Sequence, residues 1–116
     1  MSKRMTILVA IVALMVAMFA TAAYAATING TNNNDELFET SANDQMYGFR
    51  GADYIDSRDF DADTDKLYGG RGNDELDADD NDGRDLVVGG MGQDDSCEGD
   101  VGDAFKGCDG NVFRNP

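Results

Sequence analysis

Residues 69–77 carry the pattern on which the rest of this chain is built: Gly69, Gly70, Arg71, Gly72, Asn73, Asp74, Glu75, Leu76 and Asp77. The glycines allow the positive φ angles of a tight turn, and the aspartate ends that turn with a carboxylate. The last three residues fit a short strand whose central side chain points inward. A second, nearly complete copy occupies residues 89–97, with Ser96 in the place of Leu76. Two such copies predict a stacked repeat fold.

The aspartate of this unit recurs along the chain. Counting from Asp74 in both directions gives the column Asp35, Asp44, Asp53, Asp65, Asp74, Asp85, Asp94 and Asp103. All but one of the residues two positions later are apolar, and they form the column Leu37, Met46, Ile55, Leu67, Leu76, Val87, Ser96 and Phe105. An apolar column that repeats with the glycines indicates a buried core and not a helix or an acidic linker. The sequence therefore predicts an all-β protein, a right-handed parallel β-roll or solenoid of nine-residue repeats, two per coil.

Two repeats per coil place alternate turns in two rows. The row of Asp35, Asp53, Asp74 and Asp94 has the better glycine patterns and no insertions, whereas the other row carries both insertions. Calcium is a hard cation that takes about six to eight oxygen ligands, more than one turn offers but within reach of two stacked turns. We therefore expect calcium between successive turns of the regular row, at the pairs Asp35 with Asp53, Asp53 with Asp74, and Asp74 with Asp94.

The two insertions are strongly acidic. Residues 59–65 have an aspartate at every second position, and residues 77–85 contain Asp77, Asp79, Asp80, Asp82 and Asp85. Alternating aspartates also occur in EF-hand loops, but neither stretch has a glycine at the position that such a loop requires. We interpret both insertions as solvated acidic loops, with weak calcium binding as the alternative.

The aromatic residues Phe38, Tyr47 and Tyr68 each follow a core position by one residue. Side chains alternate across a strand, so these three are expected to point outward. Shielding of the strand backbone is the simpler interpretation, and a contact surface for a partner is the alternative.

The N-terminus has the three parts of a secretory signal peptide. Lys3 and Arg4 precede an apolar run over residues 5–19, and small residues then end in an A-x-A site at Ala25. A retained membrane anchor is the alternative, but the run is short for a span of about 20 residues. We assign residues 1–25 to the signal peptide, residues 26–108 to the roll, and residues 109–116 to a C-terminal tail that forms a cap or a frayed end.

The mature chain is strongly acidic. Removing Lys3 and Arg4 from the nine basic residues leaves seven against 23 acidic residues, a net charge of −16. This charge disfavours nucleic acid and anionic membrane surfaces as partners and favours cations. Leu, Ile, Val and Phe make up less than about 20% of the mature chain, a composition typical of disorder in a charged chain. A chain that folds only when metal neutralises its turns would reconcile this composition with the repeat pattern.

Cys97 and Cys108 are the only cysteines. In an exported chain they predict a disulfide, which would close the end of the roll where Ser96 weakens the core column. The alternative, a cysteine metal site, has a poor ligand set because the chain contains no histidine.

These residues resemble the hemolysin-type calcium-binding repeats, also called RTX repeats, over about residues 28–108. The resemblance implies a parallel β-roll in which calcium is bound by the metal ligands Asp35, Asp53, Gly70, Gly72, Asp74, Gly90, Gly92 and Asp94, the glycines through their carbonyl oxygens. Many members of that family are long exported toxins or enzymes. This chain is similar only to their repeats and looks like a small, free-standing member.

The function expected from the sequence is that of a secreted, extracellular calcium-binding protein that folds on binding Ca²⁺. The alternative is a structural or adhesive protein that uses calcium as a scaffold and contacts an extracellular partner through its aromatic residues. We expect no enzymatic activity, because the chain has no histidine and its aspartates stand at positions that a metal explains.

Overall fold

The computed structural model describes residues 24–58, 63–109 and 112–115. The signal peptide predicted over residues 1–25 lies almost entirely outside the described residues, as do Asp59 and Asp61 of the first insertion. Within the described residues the regular structure is entirely β, in ten strands: β1 (Thr27–Asn29), β2 (Glu36–Phe38), β3 (Gln45–Tyr47), β4 (Tyr54–Asp56), β5 (Lys66–Arg71), β6 (Glu75–Ala78), β7 (Leu86–Met91), β8 (Ser96–Asp100), β9 (Ala104–Lys106) and β10 (Val112–Asn115).

The strands form two parallel sheets that the chain visits alternately. One sheet has the order β1-β3-β5-β7-β9, and the other has the order β10-β8-β6-β4-β2. Each strand therefore pairs with the strand two places further along the chain, and one coil contains two strands and two turns. This arrangement confirms the predicted parallel β-solenoid with two repeats per coil.

The core is a single column of side chains between the two sheets. The side chains of Met46, Ile55, Leu67, Leu76 and Val87 are fully buried, and Leu37 is 8% exposed. All six were predicted from the spacing of the repeat. Because so few apolar residues are buried, the polar turns must contribute to stability as well.

The predicted register of the second glycine-rich unit is wrong by one residue. Leu76 pairs with Cys97 and Glu75 pairs with Ser96, so Cys97 fills the core position that the spacing assigned to Ser96. Cys97 is fully buried, whereas Ser96 is half-buried. A sulfur side chain behaves as a small apolar residue in a core, which a hydroxyl does not. The turn before β8 takes up the extra residue.

Both ends of the solenoid extend beyond the predicted repeats. β1 adds a strand before the first predicted unit, and its Ile28 packs against the core from one end. β10 lies in the segment interpreted as a cap or frayed end, and it pairs in parallel with β8, so that part of the tail belongs to the sheet. The predicted disulfide joins Cys97 to Cys108, with 6.0 Å between the two Cα atoms.

The outward aromatic residues stack on the surface of the sheets. The rings of Tyr47 and Tyr68, on the paired strands β3 and β5, lie 4.8 Å apart with their planes 4° from parallel. Phe38 is 57% exposed and contacts Tyr54 edge to face at 6.2 Å. The outward orientation predicted for these residues is confirmed.

Candidate metal centres

A ladder of aspartates runs along each row of turns. In the regular row the backbone N–H of Asp35 donates to Oδ1 of Asp53 at 2.8 Å, and the N–H of Asp53 donates to Oδ1 of Asp74 at 2.9 Å. In the irregular row the N–H of Asp65 donates to Oδ1 of Asp85 at 2.7 Å. One oxygen of each accepting carboxylate therefore links two coils. The predicted stacking of Asp35, Asp53 and Asp74 is confirmed.

The third predicted pair, Asp74 with Asp94, is replaced by Asp74 with Asp95. The N–H of Asp74 donates to Oδ1 of Asp95 at 2.9 Å, and Asp95 is fully buried. Asp94, the predicted ligand, is exposed and lies outside the ladder. The cause is the register shift that brings Cys97 into the core, because the ladder residue stands two positions before the core residue. The tandem Asp94-Asp95 and the apolar character of Cys97 were the signals in the sequence that could have revealed this.

The second carboxylate oxygen is the unusual feature of the regular row. Asp53 and Asp74 are each 2% exposed and Asp95 is fully buried, yet no described residue donates a hydrogen bond to Oδ2 of any of the three. A buried carboxylate oxygen without a partner is strongly destabilising unless a cation or a proton neutralises it. These three atoms therefore indicate where a cation would bind.

Backbone carbonyl oxygens lie beside these carboxylates. A Cβ atom built on Gly69 would contact Oδ2 of Asp74 and would lie 2.6 Å from the carbonyl oxygen of Gly89 in the next coil. The same space at Gly48 is bounded by Oδ2 of Asp53 and, at 2.6 Å, by the carbonyl oxygen of Gly69. Oxygens from two adjacent coils thus surround a space that exists only because the residue is glycine. This donor set suits a hard divalent cation.

The predicted carbonyl ligands Gly70, Gly72, Gly90 and Gly92 have a different place in the turns. The carbonyl oxygens of Gly70 and Gly72 abut Gly90 and Gly92 of the next coil so closely that a Cβ at either position would clash with them. Gly70, Gly72 and Gly90 also have positive φ angles of 99°, 122° and 107°, as the pattern predicted. The carbonyls beside the unpartnered carboxylates belong to the first glycine of a turn, Gly69 beside Asp53 and Gly89 beside Asp74. Both lie in the turns 69–73 and 89–93, from which carbonyl ligands were expected.

We call each turn of the regular row, together with the aspartate that ends it, a glycine corner. In the corner of Asp35 the carboxylate is already hydrogen-bonded. Its Oδ2 accepts from the backbone N–H of Thr31 at 2.5 Å and from the Thr31 hydroxyl at 3.1 Å. Asp44, in the other row, is held in the same way by Thr40, at 2.6 Å and 2.8 Å. Threonine at the second position of a turn therefore supplies the donors that the corners at Asp53, Asp74 and Asp95 lack.

The acidic insertions form clusters, and their interpretation as solvated loops is wrong for the described part. Asp77, Asp80 and Asp85 are 7%, 3% and 2% exposed, and Asp65 is fully buried. Stacking of the coils brings together residues about 20 apart in sequence. Three groups have carboxylate oxygens within 4.8 Å of one another: Glu39, Asp44 and Asp65; Asp63, Asp65 and Asp80; and Asp80, Asp82 and Asp85.

Burial raises the pKa of Asp53 and Asp74 in the regular row and that of Asp85 and Asp103 in the irregular row. The pKa of Asp74 rises to about 6, chiefly because burial disfavours the charged form, and the neighbouring charges of Asp53 and Asp95 add to the shift. Burial likewise raises the pKa of Asp80 to about 6 and that of Asp85 to about 8. A bound cation would favour the ionised forms, so protons and cations would compete for these sites.

The acidic residues Asp56 and Asp77 form ion pairs with an arginine of the chain, Arg58. Arg58 lies 2.7 Å from Oδ2 of Asp56 and 3.2 Å from Oδ2 of Asp77. Burial alone would raise the pKa of Asp56, but hydrogen bonds from Arg58 and Tyr54 outweigh it and lower that pKa. Among the described residues, no lysine or arginine forms such an ion pair with Asp53, Asp74 or Asp95.

In the part of the chain that the structure describes, no helix has the length and apolarity needed to cross a membrane. Comparison with models of protein families, with curated proteins and with solved structures finds no match to this chain. What this solenoid can bind must therefore be judged from its own residues: buried aspartates that converge in two rows of turns, with glycine carbonyls beside them in one row.

Proposed function

We propose that this protein is a secreted calcium-binding protein that holds Ca²⁺ between adjacent coils at the glycine corners. The observation that carries the proposal is the buried, unpartnered Oδ2 atom of Asp53, Asp74 and Asp95, repeated from coil to coil. Calcium suits these corners better than magnesium does, because it accepts carbonyl and carboxylate oxygens in irregular geometry. Magnesium demands a near-ideal octahedron and keeps several of its waters.

The proposal includes folding that depends on calcium. The net charge is −14 for the whole chain, and the buried core of the described residues is one column of side chains. Without cations, the stacked carboxylates repel one another and are costly to bury. A cation that binds only the folded state stabilises it by about 2.7 kcal/mol per site at a hundredfold excess over Kd.

Secretion is the second part of the proposal. The N-terminal sequence has the features of a signal peptide, and the disulfide between Cys97 and Cys108 is of the kind that persists in oxidising compartments. Extracellular calcium modules bind with Kd values of about 10⁻⁴ to 10⁻³ M, so millimolar calcium outside the cell would load the corners in part. On this proposal the chain folds after export.

Circular dichroism of residues 26–116 in chelator and in millimolar calcium tests the proposal. We expect a spectrum of a disordered chain without calcium and a β-rich spectrum with it, and a much smaller change with the same concentration of magnesium. A β-rich spectrum in chelator, unchanged when calcium is added, would contradict folding driven by calcium. Calorimetric titration of the same chain measures binding directly, whether or not folding accompanies it.

A structural or adhesive role is the second candidate, and the aromatic surface favours it. Tyr47 stacks on Tyr68 at 4.8 Å and on Phe49 at 6.1 Å, and Phe49 is 47% exposed. Exposed apolar surface of this kind occurs at protein contacts. Changing Phe38, Tyr47 and Tyr68 to Ser should abolish capture on an extracellular surface while calcium binding persists, and capture that is unaffected would reject this surface as the contact.

A further inference from the structure

We propose that the acidic insertions form a second kind of calcium site, in which two cations share the carboxylate of Asp80. One cation would bind among Asp63, Asp65 and Asp80, and the other among Asp80, Asp82 and Asp85. This site lies in the irregular row and combines the ladder residues Asp65 and Asp85 with the insertion residues Asp63, Asp80 and Asp82. It goes beyond the glycine corners and does not depend on them.

The geometry of the fold creates this site. Asp65 and Asp85 are successive members of one aspartate ladder, and the N–H of Asp65 donates to Oδ1 of Asp85 at 2.7 Å. The loop between β6 and Asp85 turns back over them, with Asn81 at a φ of 73°. Within each of the two groups the ligand oxygens lie within 4.8 Å of one another, and Asp80 is a member of both. One carboxylate can bridge two cations in this position, because its two oxygens can each ligate one.

A second observation points to a ligand. Asp80 is 3% exposed and Asp85 is 2% exposed, yet within the described residues no donor reaches Oδ2 of either side chain. The other oxygens are used: Oδ1 of Asp80 accepts from the N–H of Asp82 at 2.8 Å, and Oδ1 of Asp85 accepts from Asp65. These bonds hold the carboxylates in place and leave Oδ2 of each for a cation, while Oδ1 of Asp80 keeps a second lone pair for the other cation. Buried charges in proteins are paired or coordinate metals.

The ion pair between Arg84 and Asp82 does not replace the cations. Arg84 contacts Oδ2 of Asp82 at 3.2 Å, and its side chain is 56% exposed. Arg84 therefore meets the cluster at its edge, whereas the unpartnered oxygens of Asp80 and Asp85 are buried. Five carboxylates lie together here, and two divalent cations would reduce their combined charge from −5 to −1.

The chemistry favours calcium among common divalent cations. The ligands identified are all carboxylate oxygens, which suit hard cations and not zinc or copper, for which nitrogen or sulfur ligands are preferred. The carboxylates come from three segments of loop and ladder with no octahedral arrangement imposed on them. Calcium tolerates such geometry and accepts bidentate carboxylates, whereas magnesium does not.

Counting bound calcium in matched variants tests the proposal. Residues 26–116 with the disulfide intact are dialysed to equilibrium against millimolar calcium, and bound calcium is measured by elemental analysis in the parent chain and in Asp80→Asn, Asp82→Asn, Asp74→Asn and Asp94→Asn. We expect Asp80→Asn to bind one or two ions fewer per chain than the parent, and Asp82→Asn to bind one fewer. Asp94 is exposed and outside both rows, so Asp94→Asn should bind as many as the parent.

The variants separate this proposal from the glycine corners. If Asp74→Asn loses an ion while Asp80→Asn and Asp82→Asn lose none, the site shared through Asp80 is rejected, and calcium binding at the glycine corners is supported. If Asp80→Asn loses ions and Asp74→Asn does not, calcium binding at the glycine corners is rejected, and the site shared through Asp80 is supported. Circular dichroism in millimolar calcium checks the folding of each variant, and Asp80→Asn, which keeps the size of the side chain, should give the β-rich spectrum of the parent. Fewer bound ions together with an unchanged β-rich spectrum would show that the loss is not misfolding.

Discussion

The backbone N–H of Asp74 donates a 2.9 Å hydrogen bond to Oδ1 of Asp95 in the next coil, while Oδ2 of Asp95 is buried without a donor. The two oxygens of one carboxylate therefore have different roles. The first closes the stack of coils whether or not a metal is present. The second is stable in its place only when a cation or a proton accompanies it.

The neighbours Asp94 and Asp95 provide a matched test of the corner sites. Asp95→Asn keeps an oxygen that can accept from Asp74 but removes the charge at the corner. We expect the free energy of unfolding, in calcium at about a hundredfold excess over Kd, to fall by about 2 to 3 kcal/mol, the stabilisation that one well-occupied site provides. Asp94→Asn changes an exposed side chain and should stay within about 0.5 kcal/mol of the parent. Urea unfolding in calcium measures both, and equal losses would contradict the assignment of Asp95.

Asp35 and Asp53 should differ in their need for calcium. Thr31 already donates two hydrogen bonds to Oδ2 of Asp35, whereas Oδ2 of Asp53 has no donor among the described residues. We expect Asp53→Asn to lower the number of bound calcium ions by one, as judged by calorimetric titration. Asp35→Asn should leave that number unchanged. The reverse order would mean that Thr31 releases the Asp35 carboxylate when calcium is present.

The pH dependence of stability should reverse when calcium is added. Burial raises the pKa of Asp85 to about 8 and that of Asp74 and Asp80 to about 6, above the ordinary value of 3.8. Between about pH 4 and pH 8, these carboxyl groups hold protons in the folded metal-free chain that they have released in the unfolded chain. The stability of the metal-free fold therefore rises as the pH falls from 8 toward 4. In calcium, protons compete with the cation, and stability should fall over the same range. The folded fraction from circular dichroism at several pH values in chelator, and urea midpoints over the same pH range in calcium, measure the two trends. Parallel trends would contradict the competition.

The disulfide should stabilise the end of the solenoid. Cys97 is fully buried in the core column and is joined to Cys108, 11 residues later. A loop of this size is worth about 3 kcal/mol in the chain-entropy account. We expect the double variant Cys97→Val, Cys108→Ser to lose about that much free energy of unfolding in calcium, because Val keeps an apolar side chain in the column. A loss below about 1 kcal/mol would show that packing of Cys97 matters more than the covalent link.

Much of this structure could be predicted from local sequence. The spacing of Leu37, Met46, Ile55 and Leu67 identified the core column, because side-chain alternation in a three-residue strand leaves one inward position per repeat. The glycines at positions 70, 72 and 90 indicated turns with positive φ, which the structure has. The two cysteines were expected to pair, and they do.

The second glycine-rich unit shows where local reasoning fails. Its glycine spacing fits Asp94, the sixth residue counted from Gly89, whereas its apolar position fits Cys97 and not Ser96. A turn can take up one extra residue at little cost, whereas a core position cannot exchange an apolar group for a hydroxyl without losing burial energy. The core therefore determined the register, and the aspartate that joins the ladder, the candidate metal ligand, changed with it.

The amino-acid sequence by itself determined the period, the two rows of turns, the core column and the abundance of carboxylates. Tertiary structure alone decided which carboxylate oxygens are left without donors and which come together. Asp63 and Asp65 are far from Asp80 along the chain and meet it only because successive coils stack, and Thr31 satisfies Asp35 only because the turn folds back on itself. The physical reason is that a repeat specifies each coil separately, whereas a cation site requires oxygens from neighbouring coils at a common point.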